Sequence, residues 1–172
     1  MFCLSALCTF YINVGADCNP PFYIQLQIPF NKEKNKITKK QKHNKMRVSF
    51  DFDGTLTENI VQEYVKELVS KGIDVFIVTG RYNELLCVMN GSQTNEDLFA
   101  LADEIGIAHK HIVFTNRADK SYTIGGSGLI WHLDDDLNAL NDINRYSDVK
   151  GVWIGDSDWK ERCNELLTEA GL

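Results

Sequence analysis

The sequence predicts an α/β fold in which helices cover both faces of a mostly parallel β-sheet. From position 46 onward, short β-branched and apolar runs alternate with segments whose apolar residues recur at helical spacing. Strands and helices that alternate in this way build parallel sheets, because each helix carries the chain back to the start of the next strand. Polar residues follow directly after several of the predicted strands, so a site is expected at one edge of this sheet.

The individual elements are predicted by local signals. The first strand, RVSFDF, begins at Arg47, and apolar residues within 60–69 then fall on one face of a helix. The segment IDVFIVT, residues 73–79, is a nearly continuous β-branched run that is typical of a buried strand. Apolar residues within 98–105 indicate another helix, and Gly106 is placed to end it.

The remaining elements complete a regular order. Asp136 is the expected N-cap of a helix that Leu137 opens. No internal repeat interrupts the order, so one domain is expected. Along the chain the sequence predicts strand 47–52, helix 60–69, strand 73–79, helix 82–89, helix 98–105, strand 111–116, strand 128–133, helix 137–143, strand 149–154 and helix 159–167.

The sequence consists of three regions that differ in composition. Residues 1–30 are apolar without a clear period, and residues 31–45 are a lysine- and asparagine-rich tract with almost nothing to bury. Residues 46–172 form one predicted domain, long enough to support a hydrophobic core. We expect residues 1–45 to be a disordered or non-native leader. Either Met46 is the true start of the protein, or the leader is a genuine basic tail.

Charge and cysteine usage exclude several classes of protein. The net charge is −6, but residues 1–45 carry seven lysines against two acidic residues, so residues 46–172 carry −11. A domain this acidic is a poor general binder of nucleic acid, although it can bind a phosphate locally or gather divalent cations. The chain has no Cys-x-x-Cys pair, and Cys87 and Cys163 are expected to be reduced core thiols. Without an uncharged apolar run of about 18 residues, no membrane span is expected, and the protein is expected to be cytoplasmic.

Residue types suited to phosphate chemistry collect at the ends of the predicted strands. The carboxyl ends of parallel strands meet at one edge of a sheet, and Asp51 and Asp53 point to the same side because side chains alternate along a strand. Carboxylates this close repel one another unless a divalent cation lies among them, and all-oxygen ligands favour Mg²⁺. Along the chain, the residues at these strand ends are Asp51 and Asp53 after the first strand, Thr79, Gly80 and Arg81 after the second, and Asp134 and Asp135 after the fourth. Lys120 lies in the connection between the third and fourth strands.

This set of residues suits the transfer of a phosphoryl group. One ionised aspartate can attack phosphorus and form an aspartyl-phosphate. The second can protonate the leaving oxygen and then deprotonate the water that resolves the intermediate. Mg²⁺, a hydroxyl and a lysine would stabilise the charge on the phosphoryl oxygens. Gly54 allows the chain to turn sharply beside the phosphate.

Four segments in this order resemble the motifs of the haloacid dehalogenase superfamily. DFDGTLT, residues 51–57, resembles the first motif, VTGR at 78–81 the second, and LDDD at 133–136 the fourth. Lys120 stands 14 residues before Asp134, where the third-motif lysine would be. Arg117 lies nearby and is the alternative candidate for the cation of this motif. The resemblance covers roughly residues 46–158 and implies a Rossmann-like core.

The resemblance also implies a role for each matching residue. Asp51 would be the nucleophile and Asp53 the general acid/base, while Lys120 would orient the phosphoryl group. The second aspartate is typical of the phosphatases in the family rather than of the dehalogenases. The implied substrate-binding residues are Gly54, Thr79, Gly80 and Arg81. The implied Mg²⁺ ligands are Asp51, Asp53 through its backbone carbonyl, Asp134, and Asp135 directly or through water.

The spacing of the motifs leaves no room for the cap domain that most family members carry over the site. About 25 residues separate Asp53 from Thr79, enough for one helix and one strand, and the stretch from Thr79 to Lys120 holds two helices and a strand. We therefore expect a capless protein with an open site. Capless members tend to act on large substrates or to borrow cover from a partner subunit. The layout is also similar to the phosphatase half of polynucleotide kinase-phosphatases.

The resemblance implies a Mg²⁺-dependent phosphatase that acts through an aspartyl-phosphate. Its substrate would be a phosphorylated small molecule, such as a nucleotide or sugar phosphate, or a nucleic-acid end. One alternative is a phosphotransferase, in which an alcohol replaces water in the second step. Another is a catalytically silent binding or regulatory protein that keeps the fold. The intact set of Asp51, Asp53, Thr79 and Asp134 favours an enzyme, and the sequence leaves the substrate and the oligomeric state open.

Overall fold

A five-stranded, all-parallel β-sheet lies at the centre of the computed structural model, which describes residues 45–172. The predicted α/β fold is therefore confirmed. The order of the strands across the sheet is β3-β2-β1-β4-β5. The strands are β1 Arg47–Phe50, β2 Asp74–Thr79, β3 Ile112–Phe114, β4 Trp131–Asp134 and β5 Lys150–Trp153. The helices are α1 Asn59–Ser70, α2 Glu84–Asn90, α3 Glu96–Ile105, α4 Lys120–Ile124, α5 Leu137–Tyr146 and α6 Trp159–Glu169.

Most of the core lies on one face of the sheet. There α1, α3 and α6 bury their apolar residues against β1, β2, β4 and β5. The ring of Phe50 lies 5.1 Å from that of Trp131, edge to face, and Tyr64 of α1 stacks over the same tryptophan at 6.3 Å. Aromatic pairs of this geometry add to the stabilisation that burial alone supplies. The centre of the sheet is therefore a rigid support for the residues that follow β1 and β4.

The opposite face is covered by the helices α4 and α5. A second, smaller cluster joins Val78 of β2 to Ile124 of α4 and Ile143 of α5. Strand β2 divides its side chains between the two clusters, because Val75 and Ile77 face the larger one while Val78 faces the smaller. Helices on both faces of the sheet were predicted, and the structure confirms them.

The strand order reverses next to β1, and this reversal determines where a ligand can bind. From β1 the chain moves outward to β2 and β3, then returns to the other side of β1 for β4 and β5. Crevices form at such a reversal, outside the carboxyl ends of the two strands that flank it. Here those strands are β1 and β4, which are followed by the predicted carboxylates.

No cap domain is inserted in residues 45–172. The segment between Asp53 and Thr79 contains only α1 and β2, and that between Thr79 and Lys120 contains α2, α3, a short turn and β3. The prediction of a capless domain is thus confirmed for the described chain. None of the helices within residues 45–172 is long and apolar enough to cross a membrane.

The predicted elements all appear, with ends that differ by up to three residues. Asp136 caps α5 as expected, since its side chain accepts a hydrogen bond from the Asn138 backbone N–H at 2.8 Å. Gly106 ends α3 in the left-handed conformation, with φ of 80°. The expected leader lies outside the described residues apart from Lys45, whose ammonium pairs with the Asp74 carboxylate.

Candidate active site

Three carboxylates meet in the crevice between β1 and β4. Asp51 follows β1 directly, and its backbone N–H donates to the Leu133 carbonyl at 2.8 Å, which ties it to the neighbouring strand. Asp134 is the last residue of β4, and Asp135 comes next. Oxygen atoms of Asp51, Asp134 and Asp135 all lie within 4.8 Å of one another. The structure therefore brings together three of the four residues predicted as metal ligands.

Lys120 is the cation that reaches these carboxylates. It opens α4, where the sequence indicated only a connecting region, and Asp119 caps the helix by accepting from the Ser121 N–H. Its buried ammonium donates to Asp51 Oδ1 at 2.6 Å and to Asp134 Oδ2 at 2.5 Å. Arg117, the alternative to Lys120 in the sequence, makes no ion pair with any residue of the described domain. Its guanidinium lies over the Tyr82 ring instead.

Burial and charge give the two buried aspartates opposite ionisation behaviour. Burial raises the pKa of Asp51 to about 6, and Lys120 only partly offsets this effect. Burial also opposes the ionisation of Asp134, but the His132 ring and Lys120 outweigh it and hold the pKa of Asp134 well below its usual range. The two carboxylates keep Lys120 charged by raising its pKa despite its burial.

His132 and Ser49 support Asp134 from inside the sheet. The Nε2 atom of His132 lies 3.0 Å from Asp134 Oδ2, and its Nδ1 lies 2.9 Å from the Ser49 hydroxyl. Burial lowers the pKa of His132, so the ring is neutral at neutral pH. Because a carboxylate can only accept, Nε2 carries the proton and Nδ1 accepts from Ser49. This chain of hydrogen bonds fixes the orientation of the Asp134 carboxylate.

A Ser–His–Asp arrangement can also belong to a hydrolase with a serine nucleophile, and burial argues against that function here. Ser49 and His132 are both 0 % exposed. A nucleophile must be able to reach its substrate, and the histidine must accept the proton of the serine with the nitrogen opposite to the one that faces the aspartate. A fully buried Ser49 cannot reach a substrate, so its role is structural.

The turn that follows β1 brings Asp135 close to the backbone of Gly54. Gly54 has φ of 75°, and a Cβ atom there would lie 2.6 Å from Asp135 Oδ2. Thr55 Oγ1 donates to Asp135 Oδ1 at 3.4 Å, while Trp153 Nε1 donates to the Asp135 carbonyl at 3.1 Å. Only glycine permits both this backbone conformation and the close approach.

Asp53 stands apart from the other carboxylates. Its side chain is 56 % exposed, whereas that of Asp51 is 9 % exposed. The Arg81 guanidinium donates to both Asp53 oxygens at 2.6 and 2.8 Å, and to both oxygens of Asp97 at 2.7 and 2.9 Å. The same guanidinium lies 4.6 Å from the centre of the Phe52 ring. Arg81 therefore binds two carboxylates of the protein at the mouth of the crevice.

Thr79 and Gly80 lie where the sequence places them, at the end of β2. Thr79 is fully buried, and its hydroxyl oxygen accepts a hydrogen bond from the Arg81 backbone N–H at 3.2 Å. A Cβ atom on Gly80 would meet nothing within 4 Å, so the space around it does not require glycine. The Gly80 carbonyl accepts from the Arg117 N–H at 3.0 Å, which joins the loop after β2 to the loop after β3.

Sequence reasoning assigned no site role to Ser49, His132 or Asp97. For the first two a signal exists, because Ser49 and His132 lie two residues before Asp51 and Asp134 and share their side of each strand. For Asp97 no local signal exists, since it meets Arg81 only through the placement of α3.

No protein-family model matches this chain, and a search of the curated proteins finds no match either. The chemistry of the site must therefore come from its own geometry. The Asp51 carboxylate pairs with the buried Lys120 ammonium inside the crevice, and the exposed Asp53 carboxylate lies apart from them, beside Arg81. Asp51, Asp134 and Asp135 form an all-oxygen set that could hold a metal ion.

Proposed function

We propose that the protein is a Mg²⁺-dependent phosphatase of the haloacid dehalogenase type, which hydrolyses phosphoric monoesters through an aspartyl-phosphate on Asp51. The observation that carries this proposal is the pairing of Asp51 with Lys120, beside Asp134 and Asp135, at the crevice between β1 and β4. A carboxylate nucleophile needs such cationic support, because the phosphoryl group that it attacks is itself negatively charged.

The donor set fits Mg²⁺. Asp51, Asp134 and Asp135 would hold it with carboxylate oxygens, which are the ligands this hard cation prefers. Lys120 supplies a single positive charge to these three carboxylates, so the cluster has room for a divalent cation. When bound, Mg²⁺ would supply positive charge that stabilises phosphoryl oxygens in the transition state.

Each protein group then has a defined task. Asp51 attacks phosphorus, the bond from phosphorus to the leaving oxygen breaks, and Asp53 gives that oxygen a proton. In the second step Asp53 takes a proton from water, the water oxygen bonds to phosphorus, and Asp51 is released with inorganic phosphate. Lys120 orients and stabilises the phosphoryl oxygens. The Thr79 hydroxyl can join it only if this side chain, which is fully buried, becomes accessible from the crevice. Asp53 has to leave Arg81 during this cycle, because Arg81 holds both of its oxygens.

The open mouth of the site bears on the class of substrate. No inserted domain covers it within residues 45–172, and Asp53 and Asp97 are both more than half exposed there. Such a site admits a phosphorylated small molecule, such as a nucleotide or sugar phosphate, and also a nucleic-acid end. The acidic surface of the domain works against long nucleic acids, so the contact with a nucleic acid would be limited to its terminal phosphate.

A phosphatase screen of the full chain tests the proposal. The substrates are p-nitrophenyl phosphate, nucleotides, sugar phosphates and 3′-phosphorylated oligonucleotides, each with Mg²⁺ and with EDTA. We expect release of phosphate that depends on Mg²⁺ and is abolished in Asp51→Asn. Acid quench followed by mass spectrometry should find a phosphoryl adduct on Asp51. Turnover that survives in Asp51→Asn would contradict the proposal. Addition of an alcohol acceptor distinguishes transfer from hydrolysis.

The engagement of Asp53 by Arg81 favours one alternative, a catalytically silent protein that binds phosphate esters. If Arg81 holds Asp53 permanently, no group remains to protonate the leaving oxygen. This alternative predicts Mg²⁺-dependent binding of phosphate without turnover of any substrate in the screen. Calorimetric titration of inorganic phosphate into the full chain distinguishes it from the enzyme.

A further inference from the structure

A cavity of about 210 Å³ opens beside the mouth of the crevice, where Asp53 and Arg81 line it. Its walls are the loop after β2, the connection between α2 and α3, and the loop after β3. Polar and charged side chains form most of the lining. The lining residues that determine its shape and charge include Asp53, Arg81, Tyr82, Asn95 and Arg117.

Hydrogen bonds hold the walls of this cavity together. The buried Asn95 side chain donates to the Tyr82 carbonyl at 2.9 Å, which ties the start of α3 to the loop after β2. The Asn83 backbone N–H donates to the Asn116 side chain at 2.8 Å, which ties the same loop to the loop after β3. The cavity is therefore built into the fold before any ligand arrives.

Arg117 supplies a positive charge to this cavity that no described carboxylate neutralises. Its guanidinium lies 5.7 Å from the centre of the Tyr82 ring and pairs with no acidic residue within positions 45–172. Arg81 lines the same cavity, but both sides of its guanidinium are taken by Asp53 and Asp97. Among the lining residues, Arg117 is thus the cation that remains open to a ligand.

The backbone of the loop after β3 is strained at Arg117, which lines the cavity. Asn116 and Arg117 have φ of 55° and 67°, a conformation that residues with a Cβ seldom adopt. Their backbone N–H groups donate to the carbonyls of Arg81 and Gly80 at 3.2 and 3.0 Å, which holds the turn in place. Such strain is characteristic of residues that contact ligands.

We propose that this cavity binds the leaving group of the substrate and that Arg117 recognises a second anionic group on it, a carboxylate or a phosphate. The inference rests on the proposed function, in which Asp53 protonates the leaving oxygen. A leaving group in contact with Asp53 lies in the cavity that Asp53 lines. A planar guanidinium binds carboxylate and phosphate with two parallel hydrogen bonds.

The size of the cavity narrows the substrate class further. Its volume of about 210 Å³ is below the range of roughly 300–1,000 Å³ that is common for sites of drug-sized ligands. It therefore suits a compact polyol, sugar or hydroxy acid better than a complete nucleotide. The substrate class is a small phosphate monoester that carries a second negative charge.

Two pairs of substrates test this proposal with the full chain and Mg²⁺. The pair 3-phosphoglycerate and glycerol 3-phosphate differs by a carboxylate, and the pair fructose 1,6-bisphosphate and fructose 6-phosphate differs by a phosphate. We expect kcat/KM for the doubly anionic member of at least one pair to exceed that of its partner about tenfold or more. The pair that shows the preference identifies the anion. Equal kcat/KM within both pairs would overturn the proposal.

Variants of Arg117 show whether this residue causes the preference. Arg117→Gln should bring the ratio within the preferred pair close to one, and Arg117→Lys should retain part of it because the charge remains. Arg145→Gln is the matched control, since Arg145 is also an exposed arginine over a tyrosine ring, at 5.1 Å from Tyr146, and lies outside the cavity. A preference that survives in Arg117→Gln contradicts the proposal.

A binding measurement separates failure of this inference from failure of the proposed function. Inability of the wild type to hydrolyse p-nitrophenyl phosphate would count against the phosphatase. D-Glycerate and glycerol, titrated without Mg²⁺ and followed by NMR, report on the cavity alone. Glycerate should bind more tightly than glycerol, and Arg117→Gln should weaken glycerate about fivefold or more. Equal binding of the two compounds would exclude the carboxylate and leave phosphate, which inorganic phosphate titrated in the same way tests. No effect of Arg117→Gln on the binding of either anion would overturn the inference.

Discussion

Asp51 and Asp53 lie two residues apart, but their side chains differ in burial and in charged partners. This difference fits the two chemical tasks proposed for them. Asp51 is buried against Lys120, and Asp53 is exposed beside Arg81. A buried, oriented carboxylate suits attack on phosphorus, whereas a carboxylate at the mouth can meet a leaving group and water. The side chains of this pair therefore support the division of labour that the sequence resemblance implies.

Replacement of each aspartate should have a distinct kinetic result. Asp51→Asn should abolish turnover and weaken Mg²⁺ binding, because it removes both the nucleophile and a ligand. Asp53→Asn should keep most of the Mg²⁺ affinity and cost roughly 10²–10⁴-fold in kcat. The loss should be smaller for aryl phosphates, whose leaving groups need less protonation. Steady-state kinetics and Mg²⁺ titrations measure these effects, and retained turnover in Asp51→Asn alone would reverse the assignment.

The pKa values of Asp51 and Asp134 are shifted in opposite directions. Replacement of each aspartate by asparagine should therefore have opposite effects on the stability of the protein, measured in EDTA to exclude metal ions. Burial raises the pKa of Asp51 from 3.8 to about 6, so its ionisation costs stability as pH rises through that interval. At pH 7 Asp51→Asn should therefore raise the free energy of unfolding, by up to about 3 kcal/mol. Asp134 has a lowered pKa, so its charged form stabilises the fold, and Asp134→Asn should lower the melting temperature.

Thermal melts of the two variants at several pH values test this prediction. The gain from Asp51→Asn should shrink as the pH falls from 7 to 4, because the wild-type carboxyl becomes protonated in that range. Asp156→Asn is the control, since Asp156 is an exposed aspartate outside the cluster. A lower melting temperature for Asp51→Asn at pH 7 would show that its ion pair with Lys120 outweighs the cost of burial.

At the scale of elements, the site depends on three connections between strands and helices. The turn after β1 brings Gly54 against Asp135, α4 begins at Lys120, and the loop after β3 is hydrogen-bonded to the loop after β2. The sheet places these connections along one edge, because all five strands run parallel. The position of each charged group therefore depends on the geometry of a short connection as well as on the sheet.

Gly54→Ala tests the turn after β1. A Cβ at Gly54 would lie 2.6 Å from Asp135 Oδ2, so the variant must displace Asp135 or change the turn. We expect Mg²⁺ affinity and kcat each to fall by about tenfold or more, since ligand positions tolerate little displacement.

Gly72→Ala is the matched control for Gly54→Ala. Gly72 has φ of 78°, close to the 75° of Gly54, but a Cβ there would meet nothing within 4 Å. Both variants should lose about 1 kcal/mol of stability from the left-handed backbone, and only Gly54→Ala should lose Mg²⁺ binding. Equal Mg²⁺ affinity in the two variants would show that Asp135 can move without consequence.

At the scale of the whole molecule, the described domain contains its own core. Helices cover both faces of the sheet, and the two hydrophobic clusters described above form among residues 45–172. Met46 packs against the larger cluster, and its carbonyl accepts from the Asp74 N–H at 2.9 Å. We therefore expect the unit that folds cooperatively to begin close to Met46.

Removal of residues 1–45 should leave stability almost unchanged. Within the described residues this deletion breaks only the ion pair between Lys45 and Asp74, and exposed pairs of this kind contribute about 1 kcal/mol or less. Thermal melts of the full chain and of residues 46–172 should agree within a few degrees. A larger drop would show that the leader contributes to the fold.

The sequence by itself determined the order of the strands and helices apart from α4, and it identified the residues of the carboxylate cluster. Strand and helix periods are local, and parallel strands end at a common edge, so the positions of Asp51 and Asp134 near one another follow from the motif order. The choice of Lys120 over Arg117 as their cationic partner came from the structure. The capless layout follows in the same way, because it depends only on the lengths of chain between the motifs.

Only the tertiary structure decided which partners the remaining charged residues take. Arg81 bridges Asp53 and Asp97 because α3 begins beside the end of β2, and Arg117 faces a cavity because two loops are bonded together. Ser49 and His132, 83 positions apart, meet because β1 pairs with β4 in a particular register. Such contacts depend on packing between distant segments and on side-chain rotamers, and neither leaves a periodic signal in the sequence.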